Sequence, residues 1–336
     1  MCLTFVIGAV ERQFAPVSIS VLFAQLCVKE DTFWVERMGF PMMNRFFTST
    51  KMGRRMLYWA LIQRWIACGM PVDFLLVRHG ESEGNVYNKA RKKGRKPEVP
   101  DAFRARHGSE WRLTPRGIEQ AVAAGIWICR NIGLIDRLYT STHIRAMETS
   151  GRMALPNALW FLNILQRERD WGVHEFADRA QDEEYLDMRA RMEDQPLLIA
   201  PDGGESLVSV IARACLPLYD TLARECSMQK VAVVCHGETM WAHYYYLTRM
   251  TPWRFREIDQ SKHPHNRIHN CQIIQFSRRD PNNGRIRPSL DFVRWVCPWD
   301  PSLSSGEWQE IDRPVLGNQD LLAHVEQFPQ LITGTL

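Results

Sequence analysis

The chain has 336 residues, 45% hydrophobic and 24% charged, with a formal net charge of +4. This is the composition of an ordinary globular protein, with room for one large domain and appendages or for two smaller domains. So small a charge excess argues against a nucleic-acid partner, and nine scattered cysteines with no CxxC pair argue for reduced thiols in the cytoplasm, not a disulfide framework.

Residues 1–69 carry aromatic clusters (Phe40, Phe46, Phe47, Trp59, Trp65) without a strand period. The run 14–28 is broken by Gln25 and falls short of the ~18 apolar residues of a membrane span, and Glu11-Arg12 is a poor start for a signal peptide. No membrane partner is therefore expected. Residues 51–68 follow helical spacing loosely. Two readings of this helical N-terminal extension stand: a docking helix, or a product of gene-start assignment with Met70 as the true start.

From Val72 the signals alternate. A buried strand is predicted at 72–77, and a helix at 115–130 with Thr114 as N-cap and Pro115 in first position. A short strand follows at 137–140 and a helix at 142–153. The segment 204–225 reads as containing a long helix that starts near Ser206. A second apolar strand is predicted at 230–235, with a helix at 237–247. Late strands at 271–276 and 290–296 flank the turn Asp280-Pro-Asn-Asn-Gly284. Alternation of this kind predicts an α/β fold, a three-layer α/β/α sandwich around a central, largely parallel sheet. The domain is expected to span 70–300, with inserts at 86–112 and 176–203. The tail 301–336, with a helix at 319–327, is expected to pack on the domain or cap a sheet edge. The first insert holds a basic run, Lys89 to Lys96, which reads as a solvated loop or as an electropositive rim for an anionic substrate. The charged stretch 178–194 reads as a small cap over the site or as an exposed helix.

The chemistry lies at the strand ends. Phe74-Leu-Leu-Val-Arg78-His79-Gly80 delivers an arginine and a histidine where open α/β sheets place their ligands. Arginine offers a planar fork to phosphate oxygens, and histidine is a nucleophile or proton carrier near neutral pH. Gly80 leaves room for a close backbone approach to a ligand. Val231 to Gly237 repeats the design with His236, and Arg145 opens a helix after another strand. Glu168 precedes Arg169-Asp-Trp-Gly172, with Asp170 and Glu175 as rival carboxylates. His263, His265, His269 and Cys271 fit no zinc spacing.

These motifs, in this order, resemble the histidine phosphatase superfamily, the phosphoglycerate mutase-like family, over roughly residues 72–300. The resemblance rests on Arg78-His79-Gly80-Glu81-Ser82 with Asn85, on Leu113-Thr114-Pro-Arg-Gly117, and on Tyr139-Thr-Ser-Thr with Arg145, Ala146 and Thr149. Gly204-Glu205-Ser206 and His236-Gly237 complete it. It implies that His79 attacks phosphorus, that Arg78, Arg145 and His236 line the phosphate pocket, and that Ser82, Asn85 and the Gly237 backbone lie near it. Glu168 would be the proton donor. No metal and no cofactor is implied, since arginine and histidine supply the charge that magnesium supplies elsewhere.

Glycolytic mutases of this family carry a tryptophan where this chain has Gly84, a Tyr-Gly-x-Leu stretch where it has Trp171-Gly-Val-His, and paired arginines with no counterpart here. These departures favour a phosphomonoester hydrolase acting on a phosphorylated small molecule or a phosphoprotein. A mutase-type phosphotransferase and a silent phospho-ligand-binding protein are the alternatives. Oligomeric state is not legible.

Overall fold

The computed structural model describes residues 69–95, 97–172, 183–261, 263–332 and 334. The predicted helix at 51–68 and the candidate Glu175 lie outside the described residues. The unit Met70–Leu336 carries the fold.

Among the described residues seven strands form one sheet: β1 (Asp73–Arg78), β2 (Arg137–Thr140), β3 (Trp160–Leu162), β4 (Lys230–Cys235), β5 (Ile273–Ser277), β6 (Phe292–Val296) and β7 (Gln309–Glu310), in the order β3-β2-β4-β1-β5-β6-β7. The half from β3 to β1 is parallel, and β5, β6 and β7 run antiparallel to their neighbours. The predicted α/β class holds, with a mixed sheet whose parallel part bears the strand ends of interest. β1 and β4 are central and covered on both faces, which is why they read as continuous apolar runs. Phe74, Leu76, Val231 and Val233 face one core with Leu207, Val210, Leu218, Leu222 and Met240. Leu75, Val77, Ala232 and Val234 face the other with Ala121, Ala124, Ile128 and Ala146. Helices thus cover both faces, giving three layers.

The described helices are α1 (Glu83–Lys92), α2 (Asp101–Ala105), α3 (Pro115–Asn131), α4 (Ile144–Arg152), α5 (Glu183–Asp194), α6 (Leu207–Ala214), α7 (Leu216–Glu225), α8 (Gly237–Thr248), α9 (Pro252–Gln260) and α10 (Asn318–Val325). α3 starts as predicted, with Thr114 Oγ1 accepting from the Gly117 N–H at 3.1 Å and Pro115 in its first turn. The long helix expected from Ser206 is two, α6 and α7, which meet at Cys215. Pro217 explains the break: it has no N–H, and its ring crowds the carbonyl four residues back.

Part of the basic run is helical, with Lys89, Arg91 and Lys92 in the last turn of α1, and Lys89, Lys92, Lys93 and Arg95 exposed. The helix α5 buries Tyr185, Met188 and Met192 against Trp171 and Ile199. It is tied to α9 by Arg256–Asp194 at 2.7 Å. In the tail, β7 pairs with β6 at the sheet edge.

α3 crosses the end of α4 at Gly125, where a Cβ would sit 1.9 Å from the Met153 carbonyl oxygen. Because that neighbour is backbone, Gly125→Ala is expected to destabilise the fold by about 2 kcal/mol or more. Urea unfolding at constant m-value is the check; an unchanged midpoint would contradict the contact.

Candidate active site

β2, β4 and β1 are parallel neighbours, so their carboxyl ends lie side by side. β1 ends in Arg78 and leads to His79, β4 leads to His236, and β2 leads to Ser141 and α4. His79 is 1% exposed and His236 fully buried, with ring centroids 5.1 Å apart. His79 Nδ1 lies 2.7 Å from the Gly80 carbonyl oxygen, and Arg145 Nε donates to His79 Nε2 at 3.1 Å. A carbonyl can only accept and a guanidinium can only donate, so the proton sits on Nδ1. The lone pair of His79 is therefore on Nε2, where it accepts from Arg145.

The surrounding charge acts on the same atom. Burial first, then Arg145 and Arg78, hold the His79 imidazole well below its ordinary pKa, which keeps it neutral and nucleophilic. Burial does the same to His236, helped by Arg145 and His79. Arg78 is tied by Nη1 to the Ile268 carbonyl at 2.5 Å, and Arg145 by Nη1 to the Gly108 carbonyl at 2.6 Å. His236 Nε2 pairs with Ser141 Oγ at 2.9 Å. Among the described residues, the buried atoms Arg78 Nε, His236 Nδ1 and His143 Nδ1 have no hydrogen-bond partner.

Glu168 follows a 3-10 turn, Ile164–Gln166, and its backbone is fixed by a clamp from downstream. Arg213 donates to the carbonyls of Leu165 (2.6 Å), Arg167 (3.2 Å) and Glu168 (3.1 Å). Glu205 holds Arg213 through two 2.7 Å bonds and takes a third, also 2.7 Å, from Arg167. This explains the Gly204-Glu205-Ser206 motif: Ser206 caps α6 while Glu205 fixes the carrier of Glu168. Beneath it, Gln166 bonds His243 at 2.9 Å, and Tyr219 bonds the same imidazole at 2.6 Å. Desolvation and then the Glu238 charge raise the Glu168 pKa, opposed by Arg145 and Arg78.

The remaining predicted residues divide. Ser82 and Asn85 form the capping box of α1, and Asn85 Oδ1 also accepts from Asn270 Nδ2 at 3.0 Å. Gly237 opens α8, where a Cβ would stand 3.6 Å from Arg78 Nε. Asp170 is exposed and accepts from the Gly172 N–H at 2.8 Å. The space at Gly80 expected to admit a ligand is occupied by the Gly117 backbone, whose carbonyl oxygen would lie 2.4 Å from a Cβ. The histidines at 263–269 bond to nearby carbonyls, His265 to Ser302 and His269 to Pro264, and no group of three metal-ligating side chains converges among the described residues. Among the described residues no helix is long and apolar enough to cross a membrane.

Sequence reading gives no individual role to Ser141, His143 or Asn270. Asn270 Nδ2 donates to the His79 carbonyl at 3.0 Å, and the Cys271 N–H bonds the Arg78 carbonyl at 3.1 Å, so this loop holds the backbone of the site. Its signal is the Asn-Cys-Gln-Ile run before a late strand.

Fold and site together define an α/β protein with a buried histidine, two arginines and a second histidine at the carboxyl edge of a parallel sheet. A family model of the histidine phosphatase superfamily (branch 1) matches residues 74–273, and the chain belongs to that superfamily. It is 29% identical over 195 residues to a 2,3-bisphosphoglycerate-dependent phosphoglycerate mutase of Rhodopseudomonas palustris, a match covering 53% of this chain and 82% of the relative. It is 32% identical over 184 residues to a protein of the same name from Methylobacterium radiotolerans, covering 50% and 75%. A crystal structure of Entamoeba histolytica phosphoserine phosphatase with 3-phosphoglyceric acid aligns over 62% of this chain and 91% of its own, at 22% identity and a TM-score of 0.45.

Proposed function

We propose that the chain is a phosphomonoester hydrolase working through a phosphohistidine on His79. The observation that carries this reading is the polarised imidazole, with its Nδ1 proton tied to the Gly80 carbonyl and its Nε2 lone pair beside Arg145. His79 Nε2 attacks phosphorus as the ester P–O bond breaks. Arg78, Arg145 and His236 stabilise the charge on the nonbridging oxygens. Glu168, its pKa raised by burial, protonates the departing alkoxide and then takes a proton from the water that attacks the phosphohistidine. All the charge in this scheme comes from side chains, so no metal is required.

The mutase reading is favoured by the names of the curated relatives. Against it stands Gly84, where those mutases' family carries a tryptophan. Here a Cβ would lie 2.0 Å from the Trp111 ring, so Trp111, reaching in from the insert, fills that space. Phe103 stacks on Trp111 at 5.5 Å, and Tyr87 of α1 meets Phe103 at a tilt of 55° and 5.2 Å, so the ring that fills the space at Gly84 comes from the insert and not from position 84 itself.

The test is phosphate release from a panel of phosphomonoesters, with and without chelator, beside transfer to a phosphoglycerate acceptor. Chelator-resistant release that outpaces transfer is the expected result. Transfer outpacing release would make the chain a mutase, and neither reaction from folded protein would make it a binding module.

A further inference from the structure

His143 lies between two motif residues and has no role in the scheme above. It is the N-cap of α4, yet its side chain makes no capping bond. Its backbone N–H donates instead to Ser141 Oγ at 3.3 Å, the same hydroxyl that pairs with His236 Nε2. That shared hydroxyl sets the His143 ring edge-on to His236, with centroids 4.8 Å apart and planes at 63°. Two residues further on, Arg145 reaches His79. Three imidazoles thus follow one another along the sheet edge.

Buried polar groups are normally paired, and each orphan needs an explanation. His143 Nδ1, His236 Nδ1 and Arg78 Nε are such orphans among the described residues, and they come from three different elements, the His143 ring 4.8 Å from that of His236 and Arg78 Nε 3.6 Å from where a Cβ on Gly237, the residue after His236, would stand. An oxyanion with several acceptor lone pairs would satisfy all three at once. We infer that His143 is a third imidazole of the phosphate pocket, donating from Nδ1–H to a nonbridging oxygen of the phosphoryl group. The inference rests on the reading of His79 as the centre of phosphoryl chemistry. The field supports it: burial, then Arg145, His107, Arg167 and Arg213, push the His143 pKa down to about 3. The ring is then neutral under working conditions, and its single N–H is free to point at the anion while the cations around it draw the anion in. If His143 were mere packing, an apolar side chain of similar size would serve equally well.

His143→Leu and His143→Gln separate the two cases. Leucine keeps bulk and removes the donor, while glutamine keeps a donor. The leucine variant is expected to raise KM, and the inhibition constants of inorganic phosphate and vanadate, by ~5–30-fold, with glutamine recovering much of the loss. Titration of 15N-histidine-labelled wild type with inorganic phosphate should also move the His143 Nδ1 resonance, assigned by its absence from the glutamine variant. Phosphate affinity in His143→Leu equal to wild type, or an unmoved resonance while His79 or His236 shifts, overturns the inference and leaves the hydrolase reading standing. A wild type that releases no phosphate from any ester overturns the hydrolase reading instead, and the titration still decides on His143. If the leucine variant does not fold, the same resonance in wild type decides between the two roles.

Discussion

Replacing His79 by alanine is expected to lower phosphate release by ~10^4-fold or more, since a nucleophile has no substitute in a covalent mechanism. Wild-type protein quenched in base during turnover should gain the mass of one phosphoryl group on the peptide carrying His79, and the variant should not. The pH profile gives a second readout. Burial and two arginines lower the His79 pKa, so protonation removes the nucleophile only well below the ~6.5 of a free imidazole. The acid limb of kcat/KM should therefore lie below that value, and Arg145→Gln should move it upward by removing the nearest cation. Turnover that survives in His79→Ala would sink the proposed nucleophile.

Glu168→Gln is the second large effect. For alkyl phosphates it should lower kcat by ~10^2- to 10^4-fold, the usual worth of a positioned general acid. For p-nitrophenyl phosphate the loss in the first step should be small, because nitrophenolate leaves without a proton. The Glu168 carboxyl is raised by desolvation and by Glu238, so the acid form persists above the ordinary carboxylate range and is lost as pH rises. The basic limb of kcat should reflect this and vanish in the glutamine variant. Equal losses on both substrates would mean that Glu168 positions the site and does not donate the proton.

Much of the fold and of the candidate site's arrangement is legible in the amino-acid sequence, and the reason is physical. β1 and β4 are buried on both faces, so their sequences are apolar without interruption up to the candidate site residues. α3 announces itself by Thr114 and Pro115. β3 does not, because it has three residues, lies at the sheet edge and exposes Phe161 and Leu162. α1 is hidden by its charge, although Ser82 and Asn85, which read as pocket residues, are also the start signal of a helix. Glu168 is legible as one of three candidate carboxylates, and its choice over Asp170 and Glu175 comes only through resemblance. Its carrier is not legible, since the pairing of Arg213 with Glu205 and with the carbonyls of 165–168 is tertiary and leaves no periodic trace. His143 escapes notice because the sequence reading places it inside the helix 142–153, whereas it stands one residue before that helix begins.

One contact in that carrier has an evolutionary edge. Gly172, at φ +56°, is pressed so closely on Asp202 that a Cβ would sit 1.9 Å from the Asp202 carbonyl oxygen, and the Glu205 N–H bonds the Asp170 carbonyl at 3.0 Å. The chain on the two sides of this excursion is therefore stapled together at Gly172 and Asp202, while Leu197 reaches the core and Asp194 pairs with Arg256 on α9. Each doubling of such an excursion costs only ~0.6 kcal/mol in closure entropy. A change of length between the two ends of the staple therefore need not move the backbone that carries Glu168, because the staple and the Arg213–Glu205 clamp both lie outside the excursion.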